Sequence, residues 1–182
     1  MAIPFVREMT FEYGVLAEVA PGLRRMVVEN PGGFTFHGTN TYVIGSGDVA
    51  VVDPGPLNDA HFDALTRALE GERVSHILLT HTHMDHSPAA KPLREKTGAK
   101  TYAFGPHGSG KLDTGIQVEA GGDMDFVPDV TIEHGEVIQG GDWEVECIFT
   151  PGHTSIHMCF ALPGKAGLIT GDHVMGWSTS VI

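Results

Sequence analysis

Two cysteines in 182 residues, Cys147 and Cys159, are too few to frame a disulfide-stapled fold, and both sit in apolar segments. They read as small core residues rather than metal ligands. Basic charge is also scarce: Lys plus Arg number 11 against 23 Asp plus Glu, for a formal net charge of −12. Such a surface has no clustered cations to grip a phosphate backbone, although a nucleic-acid substrate held chiefly by metal ions stays open. No apolar run approaches the ~20 residues that cross a bilayer, so no membrane contact is expected. The N-terminus lacks a basic segment leading into an apolar stretch and cleavage site, and a cytoplasmic location is the expectation. Internal repeats, low-complexity tracts and interdomain linkers are missing as well. One domain over residues 1–182, with a core of its own, is therefore expected.

Glycine, proline and histidine are what the chain has in quantity: 24 Gly, 11 Pro and 11 His. Gly and Pro punctuate short apolar segments that read as strands at Val15–Val19, Leu23–Val28, Thr41–Ile44 and Val49–Val52. A helix is predicted over residues 58–70, with Phe62, Leu65 and Leu69 at helical spacing and Gly71 as its stop. The strand Ile77-Leu78-Leu79 runs straight into a histidine cluster. Behind that cluster Ser87-Pro88 reads as an N-cap and first helical residue, opening a helix that ends near Gly98 and carries Pro92 inside it. Further strands follow at Val145–Phe149, His157–Leu162 and Leu168–Thr170. Strands mixed with few helices, and polar clusters at strand ends, indicate a layered α/β or α+β domain.

The polar clusters carry the chemistry. Four candidate ligands, His81, His83, Asp85 and His86, fall within six residues. His81 and His83 share a face of an extended segment, whereas Asp85 and His86 lie where the chain turns toward the helix. Imidazole and carboxylate donors together suit zinc, in the mixed sets typical of catalytic sites. Two other strand ends repeat the pattern, with His153 in Thr150-Pro151-Gly152-His153-Thr154 and Asp172 in Thr170-Gly171-Asp172-His173. Singly, a His or Asp in a turn is more often structural; in company with the four-ligand run these two become candidate ligands.

Together these stretches resemble the metallo-β-lactamase superfamily over nearly the whole chain. The resemblance rests on Val51-Val52-Asp53-Pro54-Gly55, the His81-x-His83-x-Asp85-His86 run, Pro151-Gly152-His153-Thr154 and Gly171-Asp172. It implies a four-layer αβ/βα sandwich of two mixed β-sheets flanked by helices. It further implies two zinc sites, one of His81, His83 and His153 and one of Asp85 and His86, bridged by Asp172. Asp85 and Asp53 are the implied catalytic carboxylates. Asp85 would orient or deprotonate the nucleophile, and Asp53 would hydrogen-bond a ligand to fix its orientation. The implied activity is metal-dependent hydrolysis by a metal-bound hydroxide.

Gly38-Thr39-Asn40-Thr41-Tyr42, Ser155 and Gly171-Asp172-His173-Val174-Met175-Gly176 look most like the lactamase-β2-like branch, whose members include nucleases acting on single-stranded RNA. Alternatives are a glyoxalase II-like thioester hydrolase, an iron-dependent persulfide dioxygenase-like oxidoreductase, and a truncated, inactive metal-binding domain. The first two usually carry a Cys- and Arg-containing segment where this chain reads Met175-Gly176-Trp177-Ser178. The implied substrates are thus a small-molecule ester or thioester, or single-stranded RNA. The resemblance also implies a further histidine ligand beyond Asp172, so a missing C-terminal part and an incomplete second site are expected, with His173 as a weak substitute. An unpaired sheet edge would then invite a homodimer. His37 and His107 could line the site's mouth, while His61, His76, His134 and His157 read as structural or solvated.

Overall fold

The computed structural model describes residues 5, 7–110, 120–164 and 167–180. Seven strands form one sheet in sequential order: β1 (Ala17–Ala20), β2 (Leu23–Val27), β3 (Asn40–Ser46), β4 (Asp48–Val52), β5 (Arg73–Leu78), β6 (Lys100–Ala103) and β7 (Val130–Thr131). Pairing is antiparallel from β1 to β4 and parallel from β4 to β7. A second sheet, in the order β11-β10-β9-β8, is antiparallel throughout. Its strands are β8 (Val137–Gln139), β9 (Glu144–Phe149), β10 (Met158–Leu162) and β11 (Gly167–Ile169).

Strand alternation builds two cores from the same strands. In β4, Ala50 and Val52 face the second sheet, where they meet Cys147, Met158 and Phe160. Val49 and Val51 point the other way, toward Leu65, Leu69 and Leu93 of the helical layer. Being buried on both faces is why β4 reads as an uninterrupted apolar run from Val49 to Val52. Helices α1 (Asp59–Ala68) and α2 (Ala90–Thr97) both pack on the outer face of the seven-stranded sheet. Three of the four expected layers are therefore present among the described residues, and no α-helix there covers the four-stranded sheet.

Local chemistry explains the helix ends. Asn58 caps α1, its side chain accepting from the His61 N–H at 3.0 Å. The second helix begins later than the Ser87-Pro88 pattern predicts. Ser87 is occupied by the histidine loop, its hydroxyl 3.3 Å from the His83 carbonyl and 3.2 Å from Asp123 Oδ2, so it is not free to cap. Helix α2 starts at Ala90 instead, which places Pro92 in the first turn, where its missing N–H costs no helical bond. Gly98, at φ +74, closes it in the left-handed conformation.

The topology gathers the polar clusters at one edge. Because β4 and β5 are parallel, Asp53 and the Thr80–His86 run leave neighbouring strand ends. Strands β9 and β11, both antiparallel to β10, deliver His153 and Asp172 to the same edge. A backbone bond from the Met158 N–H to the Thr80 carbonyl, 2.8 Å, ties the two sheets together there.

Candidate metal centre

Two ligand-sized groups form at that edge: His81 with His83 and His153, and His81 with His86 and Asp172. In each, one donor atom per residue lies within 4.8 Å of the others. Nδ1 of His83 and Nε2 of His153 stand 3.0 Å apart. Asp172 touches both groups, with Oδ1 3.4 Å from His86 Nε2 and Oδ2 3.5 Å from His153 Nε2. Asp85 Oδ2 lies 3.3 Å from His86 Nε2. Five of the six predicted ligands fall in these groups, and Asp85 belongs to neither but meets His86.

The residues present fit a divalent metal. His81 is 1 % exposed, and its Nε2 is buried without a hydrogen-bond partner in the protein. An orphaned buried polar atom costs about 1–3 kcal/mol, which a bound ion would remove. Four imidazoles and a carboxylate, from His81, His83, His86, His153 and Asp172, are the nitrogen-and-oxygen set that borderline cations prefer.

Electrostatics sorts the ligands into neutral and charged. Burial holds His81 well below the ordinary imidazole range, and the neighbouring His86 adds to this. Burial, then His153, pulls His83 down to about 4. Both are therefore neutral at pH 7, as a metal ligand must be. Burial would also lower His86, but hydrogen bonds to Asp172 and Asp53 outweigh it and hold this ring well above the usual value. For Asp85 burial raises and His86 and Thr39 lower, and the net effect is downward. The same balance, with His86 again decisive, lowers Asp172.

Asp53 acts through others. It is 2 % exposed, accepts from the Thr80 N–H at 2.8 Å and the Thr80 hydroxyl at 2.7 Å, and lies 3.0 Å from His86 Nδ1. Such a carboxylate positions His86. Its backbone sits at φ +49, a conformation that non-glycine residues adopt at a cost of about 1–3 kcal/mol. Bonds from its N–H to the Leu78 carbonyl and from the Thr41 hydroxyl to its own carbonyl hold it there.

Three residues escape sequence reasoning. Thr39 donates its hydroxyl to Asp85 Oδ2 at 2.9 Å, and Thr80 links Asp53 to His81 Nδ1, 3.0 Å away. His157, expected to be structural or solvated, is fully buried with its ring 5.1 Å from that of His81. Of the other histidines, His37 lines the cleft, and His107 pairs with the Thr82 hydroxyl at 2.8 Å. His173 belongs to neither ligand-sized group and lies 5.9 Å from the His157 ring. Neither His61 nor His76 belongs to a ligand-sized group: His61 bonds Thr41 and Pro54, and His76 packs on Tyr102 and Trp143.

A cleft of about 400 Å³ opens beside Asp85, His86 and Asp172. Its walls include Phe34, Phe36, Met175 and Trp177, with Phe36 and Trp177 stacked at 5.1 Å and 17°. Arg25 is the one Lys or Arg among the described lining residues, against Glu8, Asp53, Asp85 and Asp172.

Known proteins resemble this chain in sequence and in fold. The sequence model of the metallo-beta-lactamase superfamily matches residues 34–179. Among curated relatives, the atrochrysone carboxyl ACP thioesterase dmxR1 of Cryptosporiopsis sp. is 32% identical over 168 residues, 91% of this chain and 47% of that protein. Thioesterase pkgB of Emericella nidulans is 34% identical over 175 residues, 92% of this chain and 46% of its own length. The chain thus spans about half the length of the curated relatives it matches. Among solved structures, a beta-lactamase domain protein from Burkholderia ambifaria has a TM-score of 0.74 at 19% identity, covering 96% of this chain and 62% of that one. The class B3 di-zinc metallo-beta-lactamase LRA-12 from an Alaskan soil metagenome gives 0.61 at 20%, covering 84% and 59%. Every predicted ligand from His81 to Asp172 falls inside the matched span, and the chain belongs to the metallo-beta-lactamase superfamily.

Proposed function

We propose that this chain carries the catalytic centre of a zinc-dependent hydrolase acting on a small-molecule thioester. The observation that carries the reading is the cleft's lining: aromatic and apolar walls meet the Asp85–His86–Asp172 side of the centre, and Arg25 is the one Lys or Arg among the described lining residues. An uncharged acyl group is stabilised by such walls. A phosphodiester backbone finds one Lys or Arg, Arg25, among the described lining residues, too little cationic surface to grip it, which disfavours the single-stranded RNA reading. The relatives named as thioesterases support the choice of bond.

His81, His83 and His153 would hold one zinc ion, and His86, Asp85 and Asp172 a second, with Asp172 shared. Zinc so bound supplies Lewis acidity and lowers the pKa of water, bringing hydrolysis to neutral pH. The protein's own groups set the geometry. Asp85, partly exposed and held ionised by His86 and Thr39, faces the cleft, where it accepts a hydrogen bond from the attacking water and aims its lone pair at the acyl carbon. Asp53 locks the His86 ring through Nδ1, so that Nε2 faces Asp85 and Asp172. The Phe36–Trp177 stack excludes bulk water from one wall and holds the acyl group by burial.

The test is turnover of three substrates by the zinc-loaded protein: an acyl-N-acetylcysteamine thioester, bis(p-nitrophenyl) phosphate and a short single-stranded RNA. The thioester should be cleaved fastest, with activity lost to a chelator and restored by zinc. Cleavage of RNA without thioester turnover would replace this reading by the phosphodiesterase one. Iron retention with oxygen consumption would replace it by an oxidoreductase.

A further inference from the structure

His157 belongs to neither ligand-sized group, yet it touches all three segments that carry ligands. Its ring lies against that of His81, centroids 5.1 Å apart and planes 27° from parallel, the stacked geometry. Its backbone and Nδ1 hold the turn bearing His153: the Thr150 N–H donates to the His157 carbonyl at 2.9 Å, and Thr150 Oγ1 lies 3.0 Å from Nδ1. Its other edge seats the turn bearing Asp172. A Cβ on Gly171 would fall 2.8 Å from His157 Nε2 and 2.6 Å from Thr80 Oγ1, so the Gly171 backbone rests directly on this histidine. Gly171 sits at φ +48 and opens the short 3-10 turn Gly171–His173.

His157 is completely buried, and its Nε2 has no hydrogen-bond partner in the protein. A buried imidazole with one edge unsatisfied is an expensive way to fill a core. Leu or Phe would fill the volume without that penalty. What an aliphatic side chain would lack is a flat face for His81, and what Phe would lack is an acceptor or donor for Thr150.

We propose that His157 is the positioning residue of the metal centre. Its face fixes the plane of the His81 ring, and its Nε2 edge fixes the height of the Gly171 turn, so it sets where His81 and Asp172 present their ligand atoms. His81 is common to both groups, and Asp172 contacts His86 and His153; a small tilt of either is therefore felt across the whole centre. Residues that orient metal ligands without binding the ion typically change affinity by about 10–100-fold when replaced.

The test uses the full chain, metal-free, titrated with Zn2+ against a chromogenic chelator, and loaded with Co2+ for its visible spectrum. His157→Phe keeps an aromatic ring and removes both nitrogens; Thr150→Val removes the hydroxyl beside Nδ1, which also lies 3.3 Å from Cys159 Sγ. His157→Phe should weaken Zn2+ binding by about 10–100-fold and shift the Co2+ bands. Thr150→Val should move both readouts in the same direction by less, with its melting midpoint close to wild type. Zn2+ affinity within twofold of wild type and unchanged Co2+ bands in both variants would overturn the proposal. Should His157→Phe fail to fold, Thr150→Val decides alone: unchanged affinity and bands overturn it, and a matched loss supports it. Wild-type protein that binds no Zn2+ would overturn the proposal together with the centre itself.

Discussion

Oδ2 of Asp53 lies 3.0 Å from Nδ1 of His86, an ion-pair distance between side chains 3% and 6% exposed. That carboxylate also takes both Thr80 donors, so none of its contacts is spare. Asp53→Asn keeps the shape but offers one oxygen and an NH₂ group. With the oxygen turned to the Thr80 N–H, the NH₂ group faces His86 Nδ1 and forces that nitrogen to accept. The ring then carries its proton on Nε2, the atom facing Asp85 and Asp172. The expected result is zinc affinity weaker by about 10–100-fold, read by chelator competition. Affinity unchanged in Asp53→Asn would show that this bond does not set the tautomer.

Metal removal should be visible in stability before any substrate is found. The two ligand-sized groups exist only in the folded chain, so zinc binds the native state and raises its melting point. At a free zinc concentration 100 times Kd the stabilisation is about 2.7 kcal/mol. For a chain of this length that corresponds to about 5–11 °C, measurable by calorimetry with and without chelator. A melting point indifferent to zinc would remove the ion from the folded centre.

The ligands were legible because they are local and chemical: His81, His83, Asp85 and His86 fall in one run, and His153 and Asp172 each follow an apolar strand. The strands with two buried faces were legible for the same reason, their apolar runs being uninterrupted from Val49 to Val52. What supports the ligands was not. Thr39, Thr80 and His157 act through contacts that depend on register and layer packing, and a threonine after a glycine or a histidine opening a strand has no distinguishing spacing. The start of α2 was misplaced because Ser87 has two uses, and only the folded loop shows that His83 and Asp123 claim it. Phe36 and Trp177 are separated by most of the chain, so their stacking is a property of topology alone.

That stack gives a prediction for substrate binding. Trp177→Leu removes an aromatic pair worth about 0.5–1.5 kcal/mol while leaving an apolar wall. No ligand is touched, and the interaction is the same in the bound substrate and the transition state. The smaller side chain leaves less apolar wall for the acyl group, so KM for an acyl thioester should rise several-fold with kcat nearly constant. A fall in kcat at constant KM would place Trp177 at the reacting bond instead.

Acid stability should respond to a pair far from the centre. Arg24 reaches Glu72 through two nitrogens, at 2.6 and 2.9 Å, and the Gly47 N–H donates to the same carboxylate at 3.0 Å. The Arg24 hydrogen bond dominates, against burial, and Glu72 ends below its ordinary value of 4.5. A carboxyl lowered in the folded state binds its proton more readily when unfolded. Its stabilisation is therefore complete above pH 4.5 and disappears as pH falls through the lower, folded value. Both side chains are mostly buried, so the pair contributes about 1.5–3 kcal/mol, the range for hydrogen bonds to charged groups. Glu72→Gln should accordingly melt lower than wild type at pH 7, and the gap should close on titration below pH 4.5. Thermal unfolding of both proteins from pH 7 to pH 3 measures that gap directly. A gap that stays constant across the range would mean that Glu72 contributes by shape and not by charge.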